Sequence, residues 1–397
     1  MNRLCVLYLD APFENEPGGD KNRSRFLFHA LREKFAVDLV LLGSLGATPR
    51  PAWTNFKPLA VFALQPAPLP RPSAAPSFKA ADRETFARLL RERRYDAVFC
   101  RFTAGWELLR LVKQASPQTA VIVDEDMLSS RLVALSWAVN PSFKRRWFLF
   151  EKWKLQHFEK HLFREPWLFL FTNDTERTEV RDCIAPRPAA GEFTLLPNTM
   201  PRITPVAPPN RQPVILFFGS MDSAANRDGF AFLMEEILLQ LEAELKQRNV
   251  VLHVVGKNPP ASFGEHLARS ATDRVTIIGG VDSIERAIAE SLFVLLPLRI
   301  ASGTRTRILE AAAQRRAVVT TTIGAEGLDV ADTVLIGDSA RDLVAHCRRL
   351  LANAGEADTL GARLGDRCVS LYAPDKVAAD LVHTVEDFIV RRQGGSP

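Results

Sequence analysis

The chain has no closely spaced pair of cysteines. Cys5, Cys100, Cys183, Cys347 and Cys368 stand singly, an odd and scattered set that excludes a CxxC redox or zinc motif and reads as reduced thiols of a cytosolic protein. Long hydrophobic runs are also missing. No uninterrupted apolar stretch approaches the roughly eighteen residues of a membrane span. The first run, residues 4–9, meets Asp10 and Pro12; it has the length of a buried strand and is too short for a signal peptide's apolar region. Charge of one sign is scarce too, since the formal net charge is only +5 over 397 residues. That excess is too small and too dispersed to indicate nucleic acid, and it suits an anionic small molecule or an anionic membrane surface. No Asp-x-Asp motif ends a strand in the C-terminal half, so no metal is expected. His157 and His161 are four apart with no third ligand nearby in sequence, and read as a solvated pair.

What is present is a repeated alternation. Apolar runs at residues 4–9, 37–42, 96–100, 120–124 and 167–172 are separated by helical patterns near 22–34, 81–92 and 106–113. Short apolar runs alternating with helical periodicity predict a parallel sheet covered on both faces. Residues 65–76 are Pro-rich and predict an extended surface loop. Six prolines lie between Leu196 and Pro213, which forbids helix and central strand alike and marks a linker. The alternation then restarts, with strands expected at 214–218, 250–255, 275–278, 292–296 and 317–322. Helices are expected at 228–247, 304–314 and 375–390. The boundaries that follow are 1–200 for a first domain, 201–213 for the linker, 214–372 for a second domain and 373–397 for a C-terminal helix packing back on the first. The fold class is α/β, with two doubly wound Rossmann-like domains facing across a cleft.

The chemistry concentrates in residues 292–328, LFVLLPLRIASGTRTRILEAAAQRRAVVTTTIGAEGL. A buried strand ends at Pro297, a small-residue loop follows, and a helix begins near Thr304. Ser302, Gly303 and Thr304 place backbone N–H groups and hydroxyls at a helix N-terminus, where orphan donors and the helix dipole favour a diphosphate. Gly303 permits close backbone approach. Arg299, Arg305 and Arg307 supply cations for phosphate oxygens. Glu310, a turn or two into the helix, suits the hydroxyls of a ribose better than it suits phosphates.

This segment resembles the donor site of family-4-like glycosyltransferases of the GT-B fold. The likeness continues over most of the chain. VILFFGSMDSAANRDGF, residues 214–230, resembles the family's first donor-domain strand with its glycine loop at Gly219. LHVVGKNPP resembles the next, ending at Gly256. VTIIGGVDSIERAIAES, with Val281, resembles the segment whose backbone contacts the nucleotide base. LLPNTM, residues 195–200, resembles a Pro-Asn element before the linker. LYLDAPFENEPGGDKNRS resembles the Gly-Gly loop after the first strand, with Gly18 and Gly19 facing phosphate or acceptor.

The resemblance implies an enzyme that moves a sugar, with retention, from a nucleoside-diphosphate sugar held by the C-terminal domain. The acceptor is a glycan or lipid-linked hydroxyl presented by the N-terminal domain, in glycan or glycolipid synthesis. No cofactor or metal is required. The departures from the pattern are specific. The family's paired glutamates stand eight apart; Glu310 is the second, and Ser302 occupies the place of the first. Ser220 stands where an Arg is expected, and Asn226-Arg227 where a Lys is expected. Arg227, Arg299 or Arg305 then supplies the missing charge. No His follows residues 120–124; Asp124-Glu125-Asp126 stands there, with Asp126 as the candidate to polarise an acceptor hydroxyl. The catalytic set is thus Asp126, Arg227 and Glu310. A sugar-nucleotide epimerase and an inactive nucleotide-sugar-binding subunit are the alternatives. Residues 141–165 carry seven Lys or Arg against three Glu, interleaved with seven aromatics, the composition of a surface that docks on anionic lipid. The expected location is the cytoplasm, peripheral on the inner face of a membrane.

Overall fold

A computed structural model describes residues 2–8, 19–43, 59–62, 64–65, 72, 75–139, 147–185, 190–202, 212–259, 272–301 and 303–394. Gly18, Ser302, residues 140–146 of the basic segment and 203–211 of the linker lie outside them. The chain divides into two compact units. One comprises Met1–Ala134, Ser142–Asn198 and Asp375–Pro397; the other comprises Leu135–Pro141 and Thr199–Pro374.

The first unit is built on β1 (Arg3–Tyr8), α1 (Gly19–Lys34), β2 (Ala36–Leu42), β3 (Ala60–Phe62), α2 (Ala80–Arg93), β4 (Ala97–Arg101) and α3 (Trp106–Ala115). It continues through β5 (Ala120–Glu125), α4 (Ser129–Val139), whose residues from Leu135 on are grouped with the second unit, α5 (Trp147–Leu162), β6 (Leu168–Phe171), α6 (Asp174–Ile184) and β7 (Glu192–Leu195). All described pairings are parallel, in the order β3-β2-β1-β4-β5-β6-β7. The central strands are buried along their whole length, so both faces must be covered, as apolar runs without alternation require. One face packs on α2, α3 and α6 through Phe86, Leu108, Leu109 and Val180. The edge strands β3 and β7 were not foreseen. They are three and four residues long, and β7 keeps two of its four side chains exposed, leaving too little apolar pattern to read.

The second unit repeats the plan with β8 (Val214–Phe218), α7 (Ala224–Phe232), α8 (Leu238–Gln247), β9 (Val251–Val255), β10 (Val275–Ile278), α9 (Ile284–Glu290) and β11 (Phe293–Leu296). Then come α10 (Thr306–Ala313), β12 (Val318–Thr320), α11 (Thr322–Ala325), β13 (Leu335–Ile336), α12 (Ala340–Ala352) and α13 (Ala354–Tyr372). Its parallel order is β10-β9-β8-β11-β12-β13. Counted from its own first strand, this is the same 3-2-1-4-5-6 order as the first unit, the doubly wound arrangement. The helix expected at 228–247 begins at Ala224 and is interrupted by a π turn over Leu233–Ile237.

The chain closes with α14 (Pro374–Arg392), which belongs to the first unit. Pro374 opens it, where a missing N–H costs nothing, and Arg391 and Arg392 sit in its last turn, where cations meet the negative end of the dipole. Val377, Leu381, Val385, Phe388 and Ile389 form one buried stripe against Leu4, Val6 and Leu31. At about 1.5–3 kcal/mol for each large apolar side chain, that stripe anchors the helix firmly.

Candidate functional site

Both sheets reverse strand order beside their first strand, between β1 and β4 and between β8 and β11. The crevice at the carboxyl ends of strands beside such a reversal is where open α/β sheets bind ligands.

In the second unit three strand ends converge there. Gly219 follows β8 with φ +149°, and Gly256 follows β9 so closely that a Cβ would stand 2.2 Å from the Gly219 carbonyl. Only glycine tolerates that approach. From β11 the chain runs to Gly303, at φ +71°. This left-handed conformation is incompatible with helix, so α10 starts at Thr306, two residues later than the pattern near Thr304 predicts. Gly303 and Thr304 are thereby kept in the loop ahead of the helix, and Arg305 is the N-cap residue, its guanidinium donating to the Gly303 carbonyl.

Glu310 lies one turn beyond Arg307 on α10. Among the described residues its carboxyl has no hydrogen-bond or ion-pair partner. Burial pushes its pKa up to about 7, opposed by Arg307 and reinforced by Glu285. Arg307 donates from Nη1 to the Phe218 carbonyl at 3.0 Å. Burial, with Arg305 adding to it and Glu310 opposing, lowers its pKa to about 10. Val281 is part-buried against the apolar cluster that holds Ile278, Ile284 and Leu328.

The other predicted cations are placed differently. Arg299 makes two bonds to the Asp228 carboxylate, at 3.1 and 2.8 Å, and stacks over Phe232 at 4.5 Å. Arg227 donates to the carbonyls of Met221 and Asp222 at 2.7 and 2.8 Å, bracing the turn after Gly219. Ser220, at the position of the expected Arg, bonds Asp222. Asn226 donates to the Ser220 carbonyl at 2.5 Å, while its buried Oδ1 has no partner.

In the first unit the corresponding ends carry a closed charge network. Asp124, fully buried, accepts from Arg23 at 2.6 Å and from Arg101 at 2.7 Å. Arg101 also reaches Asp126 at 3.1 Å. Arg23 donates onward to Asn198 at 3.0 Å, to the carbonyl of Pro197 and to that of Leu196, and Asn198 donates to Asp126 at 3.3 Å. Burial would raise the Asp126 pKa, but Arg101 and Arg23 outweigh it and hold the carboxyl below its ordinary range. Asp126 is therefore an anionic hydrogen-bond acceptor. Near Arg101 and Asp124, the Tyr8 hydroxyl is buried and has no hydrogen-bond partner among the described residues. Phe102, after β4, adopts φ +63° and stacks under Arg101 at 4.4 Å. Sequence reasoning singled out Asp126 and the Pro-Asn element but missed Arg23 and Arg101. The available signal was a charge closing the buried strand AVFCR; Arg23 leaves none. Gly19 opens α1.

A two-unit fold of parallel sheets with these strand-end loops is that of the GT-B glycosyltransferases. A sucrose-phosphate synthase from Thermosynechococcus elongatus superposes with a TM-score of 0.72 at 15% identity, covering 98% of this chain and 100% of that one. WaaG, a glycosyltransferase involved in lipopolysaccharide biosynthesis, gives 0.64 at 15% identity over 96% and 99%. HepE from Anabaena, determined with UDP and glucose, gives 0.64 at 13% identity over 96% and 99%. No curated protein sequence is significantly similar to the chain. Residues 212–353 match the model of the glycosyl transferases group 1 family; the second unit carries a group 1 glycosyl transferase domain, and the protein is a glycosyltransferase. Among the described residues no group of three or more His, Cys, Asp and Glu is arranged to hold a metal ion, and no helix is long and apolar enough to cross a membrane.

Proposed function

We propose that the enzyme transfers a sugar from a nucleoside-diphosphate sugar to a hydroxyl of a glycan or lipid-linked acceptor, with retention and without a metal, in cytoplasmic polysaccharide or glycolipid synthesis. The observation that carries this reading is the close approach of Gly219 and Gly256 at the strand reversal of a group 1 domain, with the left-handed Gly303 ahead of the helix that carries Glu310. The backbone donors of residues 302–304 hold the diphosphate, Glu310 accepts from ribose hydroxyls, and Val281 borders the base. HepE was determined with UDP and with UDP-glucose, which makes uridine nucleotides the first donors to try. Asp126, kept ionised by Arg101, orients an acceptor hydroxyl.

The test is a panel of radiolabelled nucleotide sugars, scored for transfer, isomerisation or binding alone, with and without excess chelator. Isomerisation points to an epimerase, binding alone to an inactive partner subunit, and chelator-sensitive turnover removes metal independence. Glu310→Gln removes a charged acceptor worth roughly 1.5–3 kcal/mol, so nucleoside-diphosphate affinity falls about ten-fold to a hundred-fold. Parent-level affinity in this variant places the donor elsewhere.

We further propose peripheral contact with anionic lipid through α5. Leu149, Phe150 and Trp153 are exposed there, Trp153 at 59%, with the Phe150 and Trp153 rings stacked at 6.0 Å. Exposed apolar side chains on a helix suit the headgroup boundary. Trp153→Gln lowers co-sedimentation with phosphatidylserine vesicles and leaves nucleotide affinity alone; unchanged sedimentation ends this reading.

A further inference from the structure

The first loop of the donor domain lacks the arginine that the resemblance leads one to expect, and the structure indicates where the charge comes from. Of the arginines around the site, Arg227 is spent on the carbonyls of its own turn, Arg299 on Asp228 and Arg305 in part on the Gly303 carbonyl. Arg307 differs. Among the described residues it forms no ion pair, and its one hydrogen bond, to Phe218, carries its guanidinium across from α10 to the end of β8. There its Nη1 stands 2.9 Å from where a Cβ on Gly219 would be, with Asn226 Nδ2 at 2.7 Å on the same glycine. A long cation thus occupies the β8 side of the crevice, although it starts from the helix that follows β11. A part-buried guanidinium without a counter-ion keeps donors free for an anion, and its planar fork matches phosphate oxygens.

We propose that Arg307 is the cation that binds the donor's diphosphate, taking the place of the arginine absent at Ser220. This rests on the donor-site reading above. As the bond from the anomeric carbon to the diphosphate oxygen breaks, its electron pair stays on that oxygen, and Arg307 bears the charge that develops there. The acceptor oxygen bonds to the anomeric carbon and releases its proton to the departing diphosphate. Arg307 and Glu310 stand three apart on one helix face, so a single helix presents the cation for the diphosphate and the carboxylate for the ribose.

The parent protein is titrated with UDP, GDP and ADP, and the tightest ligand and its nucleoside are carried forward. Arg307→Gln lowers affinity for that nucleoside diphosphate about ten-fold to a hundred-fold and leaves nucleoside affinity unchanged, a split that a merely structural role does not produce. With the matching sugar nucleotide it lowers kcat as well. Arg307→Lys keeps the charge without the fork and falls between Gln and the parent. Arg348→Gln, whose guanidinium pairs with Glu244 on the surface, matches the parent. Parent-level diphosphate affinity in Arg307→Gln, with Glu310→Gln weakened, overturns the assignment and leaves the donor site standing. Parent-level affinity in both removes the donor site itself. If the Gln variant does not fold, the Lys variant decides, and parent-level affinity there overturns the role of the fork.

Discussion

The two units share one strand order but treat charge at their strand ends in opposite ways. In the first, Asp124 is held by Arg23 and Arg101, and Asp126 by Arg101 and Asn198. In the second, Glu310 and Arg307 lie a turn apart on α10 without pairing to each other or to another charged side chain among the described residues. A closed network fixes geometry before any ligand arrives. An open pair leaves its capacity for a ligand with charges of its own. On the proposed function, the acceptor side is pre-shaped and the donor side is completed by what it binds.

The comparison breaks most severely at Asp124. Asp124→Asn leaves Arg23 without its carboxylate and Arg101 with Asp126 alone, all but buried. Removing one partner of a buried ion pair costs on the order of 3–5 kcal/mol, so the first unit should melt well below the parent in calorimetry or circular dichroism. A melting point equal to the parent's shows that water or neighbouring groups already satisfy the two arginines. Because Asp126 is held below its ordinary range, its contribution is complete above about pH 4, the unfolded carboxylate value. It is lost as pH falls through the lower folded value.

Removing the carboxylate charge of the second unit has the opposite sign. Glu310 has its folded pKa raised to about 7, so between the ordinary carboxylate value and pH 7 the folded state holds a proton that the unfolded state has released. Stability from this group falls as pH rises through that window. Glu310→Gln should melt at or above the parent at pH 8, with the gap closing toward pH 4.5. A lower melting point for the variant at pH 8 refutes the sign.

A smaller effect sharpens the contrast. On the proposed function, ribose hydroxyls donate to the ionised carboxylate, so nucleoside-diphosphate affinity in the parent rises through about pH 7. The same titration of Glu310→Gln lacks that step. Identical pH profiles for parent and variant separate Glu310 from the ligand.

The doubly wound architecture was legible because buried parallel strands are unbroken apolar runs, such as VILFF and AVIVD, set between helical patterns. Edge strand β7 was not, since a half-exposed strand of four residues carries no such run; β3 lies in the short apolar run at residues 59–64, which no helical pattern sets off from the Pro-rich stretch after it. The late start of α10 was hidden for a related reason. Gly303 is a left-handed residue only in its tertiary setting, where the sequence offers merely a glycine near a helix start.

By itself the sequence determined the fold class, because buried apolar runs and helical patterns alternate along it. Tertiary structure decided what each arginine is bonded to. Arg227, Arg299, Arg305 and Arg307 look alike in a string of letters, and their roles differ through partners far away in it. Phe218, which receives Arg307, is 89 positions distant, and Asp124, which receives Arg23, is 101. A charge is defined by what neutralises it, and the fold alone brings those groups within hydrogen-bonding reach.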